Sequence, residues 1–181
     1  MKKIILTHIR AWSVRELVFF FFIFLGITLI VGMLLKKKKI KESQLIAGEL
    51  SFFFLVVVLA STVFTRTSNG IRTYELVPFW SWYEIAKGNK ELFEEVVLNL
   101  FLLLPAGMLL PFVFDKKIKW YKAFALGFMF SAFIEVCQLV LCRGLFEWDD
   151  MIDNALGAMA GCIMSNKPFE KFCNKNNGRN I

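Results

Sequence analysis

Apolar residues in this chain are gathered into long runs instead of being spaced along amphipathic faces, and that clustering constrains the fold more than any other feature. Leu17 to Leu35 is an almost unbroken apolar run of about 19 residues. A helix needs about 20 to cross about 30 Å of hydrocarbon. Leu45 to Thr65, Val96 to Phe114 and Trp120 to Cys142 are three more such runs. One run of this kind fits the buried core helix of a soluble domain; four do not. Hydrophobic residues make up 57% of the chain, with 21 phenylalanines, above the roughly one half that soluble domains carry. The expected fold is therefore all-α, an integral membrane helical bundle of about five transmembrane helices. Met151 to Ser165 supplies the fifth. It is read either as a thin or tilted span reaching towards Phe169, or as a re-entrant helix packed among the others. No small-x-small site follows Leu35, so the first run is read as a retained helix and not as a cleaved signal peptide.

The net charge of +7 is unevenly placed. The first loop holds five lysines between Lys36 and Lys41, and the third holds Lys116, Lys117 and Lys119. The tail holds Lys167, Lys171, Lys175 and Arg179. The second loop carries Glu75, Glu84, Glu91, Glu94 and Glu95, and the fourth carries Glu147, Asp149, Asp150 and Asp153. The positive-inside rule puts the first and third loops and the tail in the cytoplasm, with the second and fourth outside. Lys2, Lys3, Arg10 and Arg15 conflict with that orientation unless they lie at the interface. Because the basic clusters flank spans, the partner they indicate is the lipid bilayer and not nucleic acid. The expected organisation is residues 1–65 as two N-terminal transmembrane helices with a basic loop, 66–166 as the main domain, and 167–181 as a basic cytoplasmic tail. Cys137, Cys142, Cys162 and Cys173 have no CxxC spacing, and His8 is the single histidine. No metal site and no cofactor is expected from such a ligand set.

Polar groups inside the apolar runs mark the candidate site, because ionisable residues within membrane spans are functional candidates by default. Ser131, Glu135, Gln138 and Cys142 follow i, i+4, i+7, i+11 and so share one helical face. Glu135 lies about 11 Å below Cys142 along the axis, where a carboxylate must be paired or protonated. Arg66, Arg72, Arg143 and Asn99 are its candidate partners; a packing hydrogen bond from the neutral acid is the plainer reading. Pro105 is expected to kink the third run. Asn99 either bridges two helices or contacts a ligand. Gly144 is expected to permit the bend after Arg143. Asp149 or Asp150 is expected to cap the helix that follows, with Asp153 in its first turn. Asn154, Gly157, Gly161 and Ser165 line one face, and Gly157 and Gly161 form a small-xxx-small pair for close helix packing. In the second loop Pro78 starts a break, and Phe79, Trp80, Trp82 and Tyr83 have the composition of an interfacial belt. The segment is either an amphipathic helix on the outer leaflet or, with Arg72, the lining of a site for a lipid-like or glycolipid head group.

Several of these motifs together resemble the VanZ-like family of bacterial membrane proteins. They are NLFLLLPAGMLLP (Asn99 to Pro111), FIEVCQ (Phe133 to Gln138), the Arg143-Gly144 turn and WDDMIDNALGAMAG (Trp148 to Gly161). The Pro78-Phe79 pair fits an upstream element of the family, and the resemblance covers roughly Arg66 to Gly161. It implies a role in resistance to the glycopeptide antibiotic teicoplanin, or in the cell envelope at the outer leaflet of the cell membrane. Two functions follow. In the first, a non-catalytic protein engages a glycopeptide or lipid-linked ligand through Arg72, Phe79, Trp80, Asn99, Glu135 and Asp150. In the second, an intramembrane enzyme acts on a lipid-linked cell-wall or phospholipid substrate, with Glu135 as general acid or base and the aspartates around a divalent cation. The chain contains no Ser/His/Asp set and no Cys/His pair, which favours the first. Transport is a third reading and would require a homo-oligomer.

Overall fold

A computed structural model describes residues 40–68 and 70–177, together with isolated helical positions between Phe22 and Met33. Most of the first apolar run, the lysines at 36–39 and the N-terminal basic residues lie outside the described residues. Most of the described residues are helical. Six α-helices are described: α1 (Glu42–Leu59), α2 (Trp80–Ala86), α3 (Lys90–Leu102), α4 (Leu104–Val113), α5 (Trp120–Leu141) and α6 (Trp148–Asn177). A π-helical turn, Ala60–Phe64, extends α1. Two three-residue strands, β1 (Thr73–Glu75) and β2 (Leu145–Glu147), pair with each other. The pairing departs from the all-α expectation, and neither strand has enough alternating residues to announce itself in sequence.

Among the described residues, three helical stretches are long and apolar enough to cross a membrane: Glu42–Phe64, Lys90–Val113 and Trp120–Leu141. They coincide with the second, third and fourth apolar runs. The α6 helix is about 45 Å long at 30 residues, but it is not among the three.

The described residues divide into two compact units. The first takes in those up to Glu75 together with Phe133–Phe146, and the second takes in Leu76–Ala132 and the chain from Glu147 onward.

In the first unit, α1 starts with the Gln44 side chain accepting from the Lys41 N–H at 3.0 Å, and Glu42 sits in the first turn, where its charge favours the helix dipole. At the other end hydroxyls return to the backbone. Thr62 Oγ1 donates to the Val58 carbonyl at 2.8 Å and Thr65 Oγ1 to that of Ser61 at 2.8 Å. At this end the hydroxyls are satisfied by the helix's own carbonyls, whereas the buried Ser51 hydroxyl in mid-helix has no hydrogen-bond partner.

In the second unit the third apolar run is broken, and the break is not a kink at Pro105 as expected. The interruption falls at Leu103 (φ −103°, ψ 2°), and Pro105 lies in the first turn of α4. Its missing N–H costs nothing there, so it restarts a helix. The α6 helix packs on both halves of the broken run through the expected glycines. A Cβ on Gly157 would fall on the Leu100 carbonyl of α3, and one on Gly161 on the Leu104 carbonyl of α4. Gly107 meets the Ala158 carbonyl in the same way from the α4 side. Only hydrogen fits at these positions, and the small-xxx-small reading accounts for it. Farther along, Asn166 accepts from the Ile118 N–H at 3.1 Å and donates to its carbonyl at 2.9 Å, and an ion pair joins Lys117 to Glu170. The α4–α5 loop is thereby fixed to α6.

Candidate functional site

The first turns of α6 carry Asp149, Asp150, Asp153 and Asn154, all within the second unit, and each has a different partner. Asp149 is buried. It accepts from the Phe79 N–H at 2.5 Å, the Ser81 N–H at 2.9 Å and the Ser81 hydroxyl at 2.5 Å. These donors belong to the start of α2, so Asp149 caps α2 and not its own helix. The correction is physical: α6 already begins at Trp148, and the first N–H groups of α2 need an external acceptor. Phe79 takes a left-handed conformation, φ 62°, to present that amide. The expected leaflet helix is a seven-residue turn tied to α6. Outside this latch Phe79 is 58% exposed and Tyr83 64%.

The two tryptophans of α2 extend the same junction. Trp80 Nε1 donates to Glu147 Oε1 at 3.1 Å, and Trp82 Nε1 donates to Asp153 Oδ1 at 3.3 Å. Asn99 of α3 donates to Asp150 Oδ1 at 2.6 Å, the helix-bridging role read from sequence. Asn154 donates to Ser131 Oγ at 2.8 Å, and that hydroxyl donates weakly to the Asp150 carbonyl at 3.5 Å. Two acceptor oxygens remain without a hydrogen bond in this buried layer, Asp153 Oδ2 and Asn154 Oδ1. Glu147 precedes α6 and lies outside the membrane-capable helices. Burial, and then the charges of Asp150, Glu95 and Asp149, push its carboxyl up to about 7 against the pull of the Trp80 hydrogen bond.

The polar residues of the first unit do different work. Gln138 Nε2 donates to the Thr62 carbonyl at 3.1 Å. Arg143 Nη1 reaches the carbonyls of Val63 and Phe64 at 3.4 Å each. These carbonyls belong to the last turn of the π-helical extension, where no further helical N–H exists to take them. The left-handed residue that turns the chain after α5 is Cys142, φ 53°, and not Gly144. At Gly144 a Cβ would stand 2.8 Å from Gln138 Oε1 and 3.0 Å from Arg66 Nη1, the ends of two flexible side chains that can shift to admit it. The Gly144 carbonyl accepts from Thr73 Oγ1 at 3.0 Å.

Among the residues singled out from sequence, Asn99, Asp149, Asp150 and Asn154 lie in the hydrogen-bonded layer at the start of α6. Pro78 and Phe79 border it. Gln138 and Arg143 close the end of α1. Glu135 is buried on α5 at 2% exposure, and Arg72 is exposed. Sequence reasoning missed Ser81 and the pairing of the indoles with Glu147 and Asp153. The signal available was two tryptophans flanking a serine, next to a loop rich in acids.

Among the described residues, three helices long and apolar enough to cross a membrane mark a membrane-type helical protein. A family model, VanZ/LLP1, matches residues 50–166. The chain belongs to the VanZ/LLP1 family. No curated protein and no solved structure matches it.

Proposed function

We propose that this is a multi-pass protein of the bacterial cell membrane, of about five spans, that modifies how lipophilic glycopeptides such as teicoplanin, or envelope intermediates, behave at the outer leaflet. Binding is the activity, not turnover. The observation that carries this reading is the latch at the start of α6. Asp149 is saturated by Phe79 and Ser81, and Asp150 is held by Asn99. Carboxylates held this way preorganise a surface and are poorly placed to exchange protons with a substrate. The exposed rings of Phe79 and Tyr83 beside that surface supply the apolar contact a lipid-anchored ligand needs. An intramembrane enzyme with Glu135 as general acid or base draws no comparable support, since the aspartates proposed to converge on a cation each face a separate protein donor.

The test is heterologous expression with susceptibility measured for teicoplanin beside vancomycin. The expected result is protection against the lipophilic drug alone, lost in Glu135→Gln and Asp150→Asn while membrane abundance stays normal. Full protection in both variants at normal abundance overturns the reading.

A further inference from the structure

We propose that Arg66 and Arg72 form a binding site for a phosphate group carried at the membrane surface. The membrane-capable stretches Glu42–Phe64 and Trp120–Leu141 both end in the first unit. Gln138 on the Thr62 carbonyl and Arg143 on those of Val63 and Phe64 bring those two ends level. Residues just beyond them therefore lie at head-group depth.

Three arginines belong to the chain segments that meet at one glycine, Gly144. Arg143 is the chain neighbour of Gly144. Arg66 Nη1 lies beside Gly144, 3.0 Å from the position a Cβ would take. Arg72 precedes Thr73, whose hydroxyl bonds the Gly144 carbonyl at 3.0 Å. Helix C-terminal carbonyls account for Arg143. They do not account for the other two. Arg66 and Arg72 are exposed and form no ion pair with a carboxylate among the described residues. Guanidinium groups hold phosphate through paired N–H donors in a fixed fork, and at a lipid surface each basic residue adds about 1 kcal/mol towards an anionic head group. A phosphate held by Arg66 and Arg72 supplies the counter-charge that the described residues do not. The exposed side chains of Ile71 and Tyr74, on either side of Arg72 and Thr73, give the site an apolar flank suited to an acyl chain.

This site does not depend on glycopeptide recognition, and its test uses no antibiotic. The full chain in dodecyl maltoside is titrated with dihexanoyl phosphatidic acid and, separately, with inorganic phosphate, and binding is followed by thermophoresis. Saturable binding of either probe is expected, weakened about tenfold or more in Arg66→Gln/Arg72→Gln and less in Arg66→Lys/Arg72→Lys. Tighter binding of the lipid assigns the site to a lipid head group, and equal binding assigns it to free phosphate. Failure of both probes to saturate on the native chain overturns the proposal, whatever the variants do. So does unchanged affinity in the glutamine pair, with an unaltered unfolding midpoint showing that the fold is intact.

Discussion

The two compact units each solve the same problem at a helix end, with opposite charges. In the second unit, the unsatisfied N–H groups that open α2 are closed by a carboxylate, Asp149. In the first, the unsatisfied carbonyls that end the α1 extension are closed by a guanidinium and an amide, from Arg143 and Gln138. Each junction also contains one left-handed residue that is not glycine, Phe79 before α2 and Cys142 after α5. They differ in tightness. The bonds to Asp149 run from 2.5 to 2.9 Å around a carboxylate 2% exposed. Those from Arg143 are 3.4 Å long and come from a partly exposed side chain. A buried charged acceptor with three donors is hard to replace with water, whereas a long bond from a half-exposed cation exchanges readily.

The largest effect should come from breaking the tighter junction. Asp149→Ala removes three charge-assisted hydrogen bonds and leaves the Ser81 amide without its acceptor. We expect a loss of about 3 kcal/mol, read as a fall in unfolding midpoint in detergent, with α2 becoming accessible to protease first. Arg143→Ala should cost about 1 kcal/mol, because water can replace a long, partly exposed bond. A larger loss for Arg143→Ala than for Asp149→Ala would reverse the comparison.

Glu147 probes how far burial reaches at the Asp149 junction. Its folded carboxyl titrates near 7, above its ordinary 4.5. The folded state therefore holds more protons than the unfolded chain between those two values, and stability falls as pH rises through that window. Above it the penalty is fully present. Glu147→Gln should remove this group's share of the dependence and raise stability at pH 8 by about 1 kcal/mol, a figure reduced for the solvent that still reaches the group. The check is the difference in unfolding midpoint between the two proteins at pH 5 and pH 8. Midpoints that stay parallel across the window would mean that Glu147 is solvated.

The same contrast explains what sequence could and could not say. The membrane-capable helices over the second, third and fourth apolar runs were legible because an apolar run is a local property, and so was the α6 packing face, since Gly157 and Gly161 announce a close approach wherever it occurs. The polar stripe on α5 was legible by spacing, and Ser131, Glu135 and Gln138 are all buried. What stayed hidden was which end each polar group would close. Asp149 reads locally as the cap of its own helix, yet it serves a helix whose Ser81 lies 68 residues earlier. Gln138 reads as part of the inward stripe and Arg143 as a partner for Glu135, yet they satisfy carbonyls 76 to 80 residues away. A helix end advertises unsatisfied groups, but its partner is chosen by tertiary packing. Pro105 and Gly144 teach the local version. Each residue type was read for its commonest effect, whereas the neighbouring Leu103 and Cys142 took the irregular backbone angles.

The smallest expected effect isolates that last point. Cys142 follows the end of α5 at φ 53°, in the left-handed region that costs an L-residue about 1 kcal/mol. Glycine is the usual residue where a helix ends this way. Cys142→Gly should release that strain but also add freedom to the unfolded chain, for a net gain of about 0.5 kcal/mol. Phe79→Gly relieves the same kind of angle, φ 62°. It also removes the contacts of a large, mostly exposed aromatic side chain. Phe79→Gly should therefore gain nothing or lose slightly, so the pair separates backbone strain from side-chain packing. Unfolding midpoints that rise for Cys142→Gly and not for Phe79→Gly would place the removable strain after α5. A fall for Cys142→Gly would show that the thiol side chain contributes more packing than its half-buried position suggests.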